Sequence, residues 1–450
     1  VDKTQADVFP GPWWPALAQT ILLYSRAWWI GGESLRHKYG EVFRLRLVNP
    51  GPKSAKTGLV VADPEEMRSV LTGSPQIYEA GKSHALRPIW GKHSVLSVDG
   101  EAHARLRRLL MPSFSGAALR GYATMFETLA EADAKNWPLD TPTTALENTQ
   151  RITLEIILRT VFGVSDEERS AVLRPLTARI GTLGVGEILW LTVPTLKKFR
   201  VGLEYRQALI RLREIMDREI VQRRTDPDLH GRADVLSRML AVDMDGDRLT
   251  DAEVRDQLVS LVTVGQESTA KALAWCLLHL AYNPDVQRKA QAAADAGDLG
   301  YLTAVFKESL RLHAVVAFAA RRVAEPVKVA GREVPAGTVV LPFLSAPHRD
   351  GRYFPEPTEF RPERFLGESD DQLRKWQPFG GGVRRCLGAG FSLAESPIIL
   401  RSVLTRYDIA PSRPVMEGPS RLPNIVVGPR YGGQIRLTER PSTASDLEVG

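Results

Sequence analysis

The stretch Pro378-Phe-Gly-Gly-Gly-Val-Arg-Arg-Cys-Leu-Gly-Ala-Gly390 organises the reading of this 450-residue chain. Its glycines let the backbone come close to a flat surface and adopt positive φ. Cys386 stands at the start of a predicted helix over 387–407, where free amides and the helix dipole favour a thiolate. Arg384 offers a planar fork suited to a carboxylate. A deprotonated sulfur, a close-approach loop and a carboxylate clamp together describe the proximal side of a haem. Two plainer readings stay open on these residues alone. Glycine-rich loops before helices also cradle phosphate, although a P-loop would continue Gly-Lys-Ser/Thr and none follows. A lone cysteine is also often an inert buried residue.

Two other segments bear on the choice. Glu308-Ser-Leu-Arg311 puts opposite charges on one helical face at the i,i+3 spacing, a pattern that solvated surface pairs share. Downstream, Phe360-Arg-Pro-Glu-Arg-Phe365 supplies Arg364 just ahead of the cysteine loop. Thr250-Asp-Ala-Glu253 is a capping box that opens a helix running to Tyr282, where Asn283-Pro284 stops it. Such a helix is roughly 45–50 Å long at 1.5 Å per residue, enough to cross a domain. It carries Val264-Gly-Gln-Glu-Ser-Thr269, and a mid-helix glycine costs about 1 kcal/mol relative to alanine. Gly265 therefore needs a reason, and a groove where a small ligand meets the backbone beside an acid and an alcohol would be one.

Around these segments the chain reads as mixed. Val42-Phe-Arg-Leu-Arg-Leu-Val48 alternates as a half-buried strand, and Gly58-Leu-Val-Val61 is a partner before a helix opening at Pro64. Residues 117–282 carry helical spacings, whereas Val327-Lys-Val329, Gly331, Val334 and Val339-Val340 predict a hairpin. A polar tail, 440–450, follows. The expectation is a mainly α chain with smaller β-sheets (α+β), with a β-rich lobe at about 35–80.

Composition narrows the function classes. The chain is 43% hydrophobic and 25% charged with a formal net charge of +6, which suits a globular protein and excludes low-complexity disorder. No interleaving of aromatic and basic residues points to nucleic acid, so the modest basicity fits a docking face for an acidic protein instead. Cys276 and Cys386 are too sparse for a disulfide framework and suit a reducing compartment. Residues 16–30, interrupted by Gln19, Thr20, Ser25 and Arg26, are too short and polar for a transmembrane anchor and lack a secretory layout. A cytoplasmic location is expected.

Taken together, these motifs resemble the cytochrome P450 family, and the resemblance runs from about Pro10 to Glu439. Phe379, Gly382, Arg384, Cys386 and Gly388 match its Phe-x-x-Gly-x-Arg-x-Cys-x-Gly signature, with Gly380 inside it. Glu308 and Arg311 match its Glu-x-x-Arg motif, with Arg364 the implied third member of a buried network. Gly100-Glu-Ala-His103-Ala-Arg-Leu-Arg107 is similar to the helix whose His and Arg hold haem propionates. Arg322 resembles a further propionate ligand, with Arg321 beside it as a rival. His348-Arg-Asp350 resembles another signature of the fold. One segment departs from the pattern. The family's oxygen-activating motif is usually Ala/Gly-Gly-x-Asp/Glu-Thr, and here it reads Val264-Gly265-Gln266-Glu267-Ser268, with Thr269 next, so either hydroxyl is a candidate.

The resemblance implies one P450-like domain over 1–450, with the long helix crossing the haem. It implies haem b held by the Cys386 thiolate, and Glu267 with Ser268 or Thr269 relaying protons beside Gly265. The reaction would insert one atom of O2 into an apolar or aromatic small molecule, with electrons from a separate ferredoxin and ferredoxin reductase. Arg105, Arg108 and Arg385 are candidates for the docking face, although solvated arginines would look the same. Residues 77–97, 180–195 and 315–320 should line the substrate pocket. An oxidative coupling enzyme, a peroxygenase and a haem-based sensor or carrier are the alternatives.

Overall fold

A computed structural model describes residues 9–16, 18, 19, 28–46, 57–82, 84, 86–164, 167–183, 185–192, 202–367, 369–420 and 426–441. The axis of the fold is the 32-residue helix Asp251–Tyr282. Its predicted capping box is formed: Glu253 N donates to Thr250 Oγ1 at 3.3 Å, and Thr250 N donates to Glu253 Oε2 at 2.9 Å. Each bond satisfies an amide that a helix start leaves without an intrahelical partner. Every residue from 269 to 281 is buried, as expected of a helix packed on all sides.

Two large cores meet along this helix. Val254, Leu258, Val259 and Val262 belong to one, with the helices Ala145–Phe162 and Leu203–Arg224. Residues 272–278, with Leu280 and Ala281, belong to the other, with the helices Gly116–Ala134, Leu299–Leu312 and Ala389–Leu404. The polar run 265–271 falls at the junction between them. A Cβ on Gly265 would lie 2.9 Å from the tip of Ile157. Close packing of the Ala145–Phe162 helix thus gives this glycine a reason beyond the ligand groove expected from the sequence.

Strands β1 (Val42–Arg46), β2 (Thr57–Val61), β3 (Tyr78–Glu79), β5 (Arg321–Val323) and β8 (Val339–Pro342) form a sheet in the order β1-β2-β8-β5-β3. The predicted pairing of the first two is antiparallel, with Phe43 opposite Val60. Strands β6 (Val327–Val329) and β7 (Arg332–Val334) make the predicted hairpin, turning at Ala330 and Gly331 with φ of 48° and 73°. Residues 339–342 leave this hairpin and run parallel to β2. Strands β4 (Pro142–Thr144), β9 (Tyr407–Pro411) and β10 (Gln434–Glu439) form a separate three-stranded sheet. Val48 and the tail beyond 441 lie outside the described residues, and the last helix is Ala389–Leu404, shorter at both ends than its predicted span.

Candidate active site

The cysteine loop is folded tightly on itself. Cys386 N donates to Phe379 O at 2.9 Å, and Arg385 N donates to Gly382 O at 3.1 Å. Gly382 has φ of 62°, and a Cβ there would come within 2.1 Å of Leu71 O, so only glycine lets the loop sit against the Pro64–Thr72 helix. Gly380 is also in the left-handed region, at φ 67°. The Phe379 ring stands edge-on to Trp376 at 5.9 Å. No atom lies within 4 Å of a Cβ built on Gly388, so the chain there can face a flat group closely.

Of the two cysteines, Cys276 is buried and Cys386 keeps exposed surface. Protein packed around the Cys386 sulfur pushes its thiol above the ordinary value, while the Gly388 and Ala389 amides and the charges of Arg107 and Arg385 pull it back. Those donors are what a ligating thiolate requires. Cys276, held well above the ordinary value by burial, has no such surroundings.

A cationic cluster gathers beside the loop. Arg384 Nη1 donates to Val95 O at 3.0 Å, and Nη2 donates to Val98 O and, at 2.5 Å, to Asp99 Oδ1. Asp99 also accepts the amides of Ala80, Gly81 and Lys82 at 2.7–2.8 Å. His103 is buried and is pushed down to about 4 by burial and by the charges of Arg384 and Arg107. Arg107 Nη1 donates to Arg385 O at 2.9 Å. Arg321, 6% exposed, is pushed down to about 10 by burial and by Arg384. Arg321 and Arg384 share the charge of Asp99, and Arg107 adds a third positive charge beside Arg384. That deficit of negative charge fits a group bearing two carboxylates, and with the cysteine loop the residues fit a haem.

One residue of register decides which arginine joins this cluster. Successive strand residues face opposite sides of a sheet, and Arg321 and Arg322 are neighbours on β5. Arg322, the preferred candidate from the sequence, turns outward to Glu79 Oε2 at 2.8 Å with its side chain 42% exposed. Arg321 points the other way and is the member drawn in.

Glu308 and Arg311 are fully buried and joined by two hydrogen bonds, Nε–Oε2 at 2.7 Å and Nη2–Oε1 at 2.8 Å. Arg364 Nε lies 3.3 Å from Glu308 Oε1, completing the expected trio across 56 residues of chain. The pair is therefore no solvated surface bridge.

On the central helix the acid and the two alcohols diverge. Ser268 Oγ donates to Val264 O at 2.6 Å. Thr269 instead faces the last helix, 3.4 Å from Ser392 Oγ and hydrogen-bonded to Glu395. Glu395 is buried, which raises its carboxyl to about 8. Glu267 is buried and lies 2.6 Å from Lys271 Nζ. Lys271 Nζ also donates to Val426 O at 2.8 Å, and Trp275 Nε1 to Val427 O at 3.2 Å, so the helix is tied to residues 426 and 427. Lys271 was legible as an i,i+4 partner of Glu267. Glu395 carried no local signal.

The remaining expectations fare unevenly. Arg105 is committed to Asp247 at 2.7 Å and Glu253 at 2.6 Å, and Arg108 to Asp247 at 2.9 Å. That intramolecular pairing weakens both as docking residues and leaves Arg385, which is exposed. Val315 is buried, but Phe318 stacks on Phe343 at 4.5 Å in the sheet-side core, so packing accounts for part of the expected pocket lining. Residues 193–195 lie outside the described residues. Among the described residues no helix is long and apolar enough to cross a membrane.

Comparisons with known proteins agree with this geometry. The family model described as Cytochrome P450 matches residues 10–436. The chain is 40% identical over 431 residues to putative cytochrome P450 135A1 of Mycobacterium tuberculosis, covering 95% of this chain and 94% of that one. It is 35% identical over 410 residues to putative cytochrome P450 135B1 of Mycobacterium bovis, covering 89% and 85%. Its fold matches the retinoic acid bound cyanobacterial CYP120A1 with a TM-score of 0.82 at 21% identity, over 96% and 99% of the two chains. The chain belongs to the cytochrome P450 family of haem-thiolate monooxygenases.

Proposed function

We propose that this P450 inserts one atom of O2 into an apolar or aromatic small molecule, with Cys386 as the residue whose thiolate would hold a haem b. The observation that carries the reading is the pairing of an exposed, amide-flanked Cys386 with a cationic cluster short of carboxylates. His103, Arg107, Arg321 and Arg384 would hold the propionates, with Arg321 taking the place first given to Arg322. When bound, the haem supplies oxygen activation, and a thiolate ligand favours O–O cleavage.

The chain's own groups do the rest. Ser268, whose hydroxyl turns back on Val264 O, is the relay alcohol, because Thr269 is engaged by Glu395. Lys271 holds the Glu267 carboxylate in place, 2.6 Å away, so that a proton reaching Glu267 can pass to the Ser268 side of the helix. Apolar side chains such as Val315 keep the reacting centre dry. Electrons arrive from a separate ferredoxin and its reductase, and the protein works in the cytoplasm.

The test is spectroscopic. The reduced carbon monoxide complex of the wild type should absorb at the thiolate-ligated position, and Cys386→Ala and Cys386→His should lose that band. A band unchanged in either variant removes Cys386 as the ligand. Product formed with NADPH and redox partners but not with peroxide alone supports a monooxygenase. The reverse pattern makes it a peroxygenase, and turnover with neither makes it a sensor or carrier.

A further inference from the structure

Away from the cysteine loop, a groove of about 650 Å³ lies between residues 84–93, the start of the central helix and the Leu203–Arg224 helix. Arg87, Lys92, Arg213 and Arg255 line it, with Asp256 the single carboxylate. Asp256 is already used: it accepts the His93 amide at 3.0 Å and lies tight against Gly91, where a Cβ would meet its carboxylate at 2.2–2.4 Å. Arg213 gives Nη2 to the carbonyls of Pro88 and Ile89 at 3.1 and 2.8 Å, and Arg255 gives Nη1 to Asp217 at 3.1 Å. Arg213 Nε, Arg255 Nε and His93 Nδ1 are buried and make no hydrogen bond. Buried polar groups are ordinarily satisfied; here Asp256, 3.4 Å from His93 Nδ1 and 3.5 Å from Arg255 Nε, is the one carboxylate lining a groove with four cationic side chains, so their charge is only partly offset.

The inner side of the same loop bears on the active site. Val95 N donates to Gln257 Oε1 at 2.9 Å, Gln257 Nε2 donates to His93 O at 2.8 Å, and Ser94 Oγ lies 2.6 Å from Ser260 Oγ. These bonds latch residues 93–95 onto the central helix, while Val95 O and Val98 O accept Arg384 of the cationic cluster.

We propose that this groove binds a small polyanion, an organic phosphate or a polycarboxylate, as an effector that clamps residues 91–98 against the central helix. Four cationic side chains along one open groove suit an organic ligand with several negative charges rather than a single monovalent ion. Arg87 and Lys92, both exposed, make the first contacts. The ligand's charge then offsets the mutual repulsion of Arg213 and Arg255 and draws the loop, the Leu203–Arg224 helix and the central helix together.

Calorimetric titration of the holoenzyme with pyrophosphate and with citrate, against sodium chloride at matched ionic strength, tests the site. Saturable 1:1 binding of either oxyanion is expected, and the tighter of the two tells phosphate from carboxylate chemistry. The double substitution Arg87→Gln/Lys92→Gln alters two exposed positions and should weaken binding at least tenfold. Arg213→Gln should do the same, with the double variant as the arm that does not depend on Arg213's structural bonds. Hydrogen exchange at residues 91–98 should slow several-fold with pyrophosphate or citrate in the wild type and stay unchanged in the double variant. Binding no different from sodium chloride, affinity unaltered in the double variant, or exchange at 91–98 unaffected by a bound oxyanion overturns the proposal.

Discussion

Arg311→Ala should leave little folded holoprotein. All five N–H groups of the Arg311 guanidinium are in use: two on Glu308 at 2.7 and 2.8 Å, and three on the carbonyls of His348, Pro357 and Glu359 at 2.5, 2.8 and 2.9 Å. Both side chains of the pair have zero exposure. Removing the guanidinium strands the Glu308 carboxylate, and Arg364 Nε at 3.3 Å with the Arg361 amide at 2.9 Å is a poor substitute. Breaking a buried pair from one side costs about 3–5 kcal/mol, and three carbonyls lose their partner as well. At about 1.4 kcal/mol per factor of ten, the pair alone shifts the unfolding equilibrium roughly 100- to 4,000-fold. That is between a fifth and the whole of the roughly 5–15 kcal/mol that stabilises most folded proteins. Urea denaturation followed by circular dichroism and by the haem absorbance band measures the loss. Glu308→Leu/Arg311→Met, which removes the fully buried pair and keeps apolar bulk, should be more stable than Arg311→Ala, because the one charge it leaves, Arg364, keeps its bond to Glu356 O at 2.8 Å. An Arg311→Ala protein that retains haem and unfolds within about 1 kcal/mol of wild type refutes the structural role, and so does a double variant weaker than the single one.

Three further outcomes follow from the site. Ser268→Ala should keep haem and substrate binding while product per NADPH falls and hydrogen peroxide rises, by up to the roughly 100- to 10,000-fold that general acid-base groups contribute; Thr269→Ala uncoupling the enzyme while Ser268→Ala does not would move the role to Thr269. Arg321→Gln should speed haem loss to apomyoglobin roughly 10- to 100-fold, the value of a lost charged hydrogen bond, whereas Arg322→Gln should stay near wild type, and equal rates would undo the choice between them. Burial raises Glu395 to about 8, above its ordinary 4.5, so the folded state binds the extra proton, and its contribution to stability is complete below pH 4.5 and lost as pH rises through 8. Urea midpoints at pH 6 and 8.5 should drop more for wild type than for Glu395→Gln, and parallel drops would show that Glu395 does not carry this dependence.

What the sequence alone determined about this protein is local or carried by spacing. The Thr250–Glu253 capping box, the Glu308–Arg311 pair and the turn at Ala330–Gly331 each close within a few residues, so helix and hairpin geometry make them legible before folding. The cysteine loop is legible for the same reason: its glycines and amides act within about ten residues. Only the tertiary structure decided matters that turn on which way a side chain faces or what lies across the chain. Strand side chains alternate with a period of two, so a single step separates Arg321 in the cationic cluster from Arg322 on Glu79. A helix turns about 100° per residue, which sends Ser268 to Val264 O and Thr269 to Glu395. The partners of Arg364, Lys271 and Arg105 lie 56, 155 and 142 residues away. No local propensity encodes such meetings; they arise from packing two cores against one helix, which leaves its polar run 265–271 at their junction.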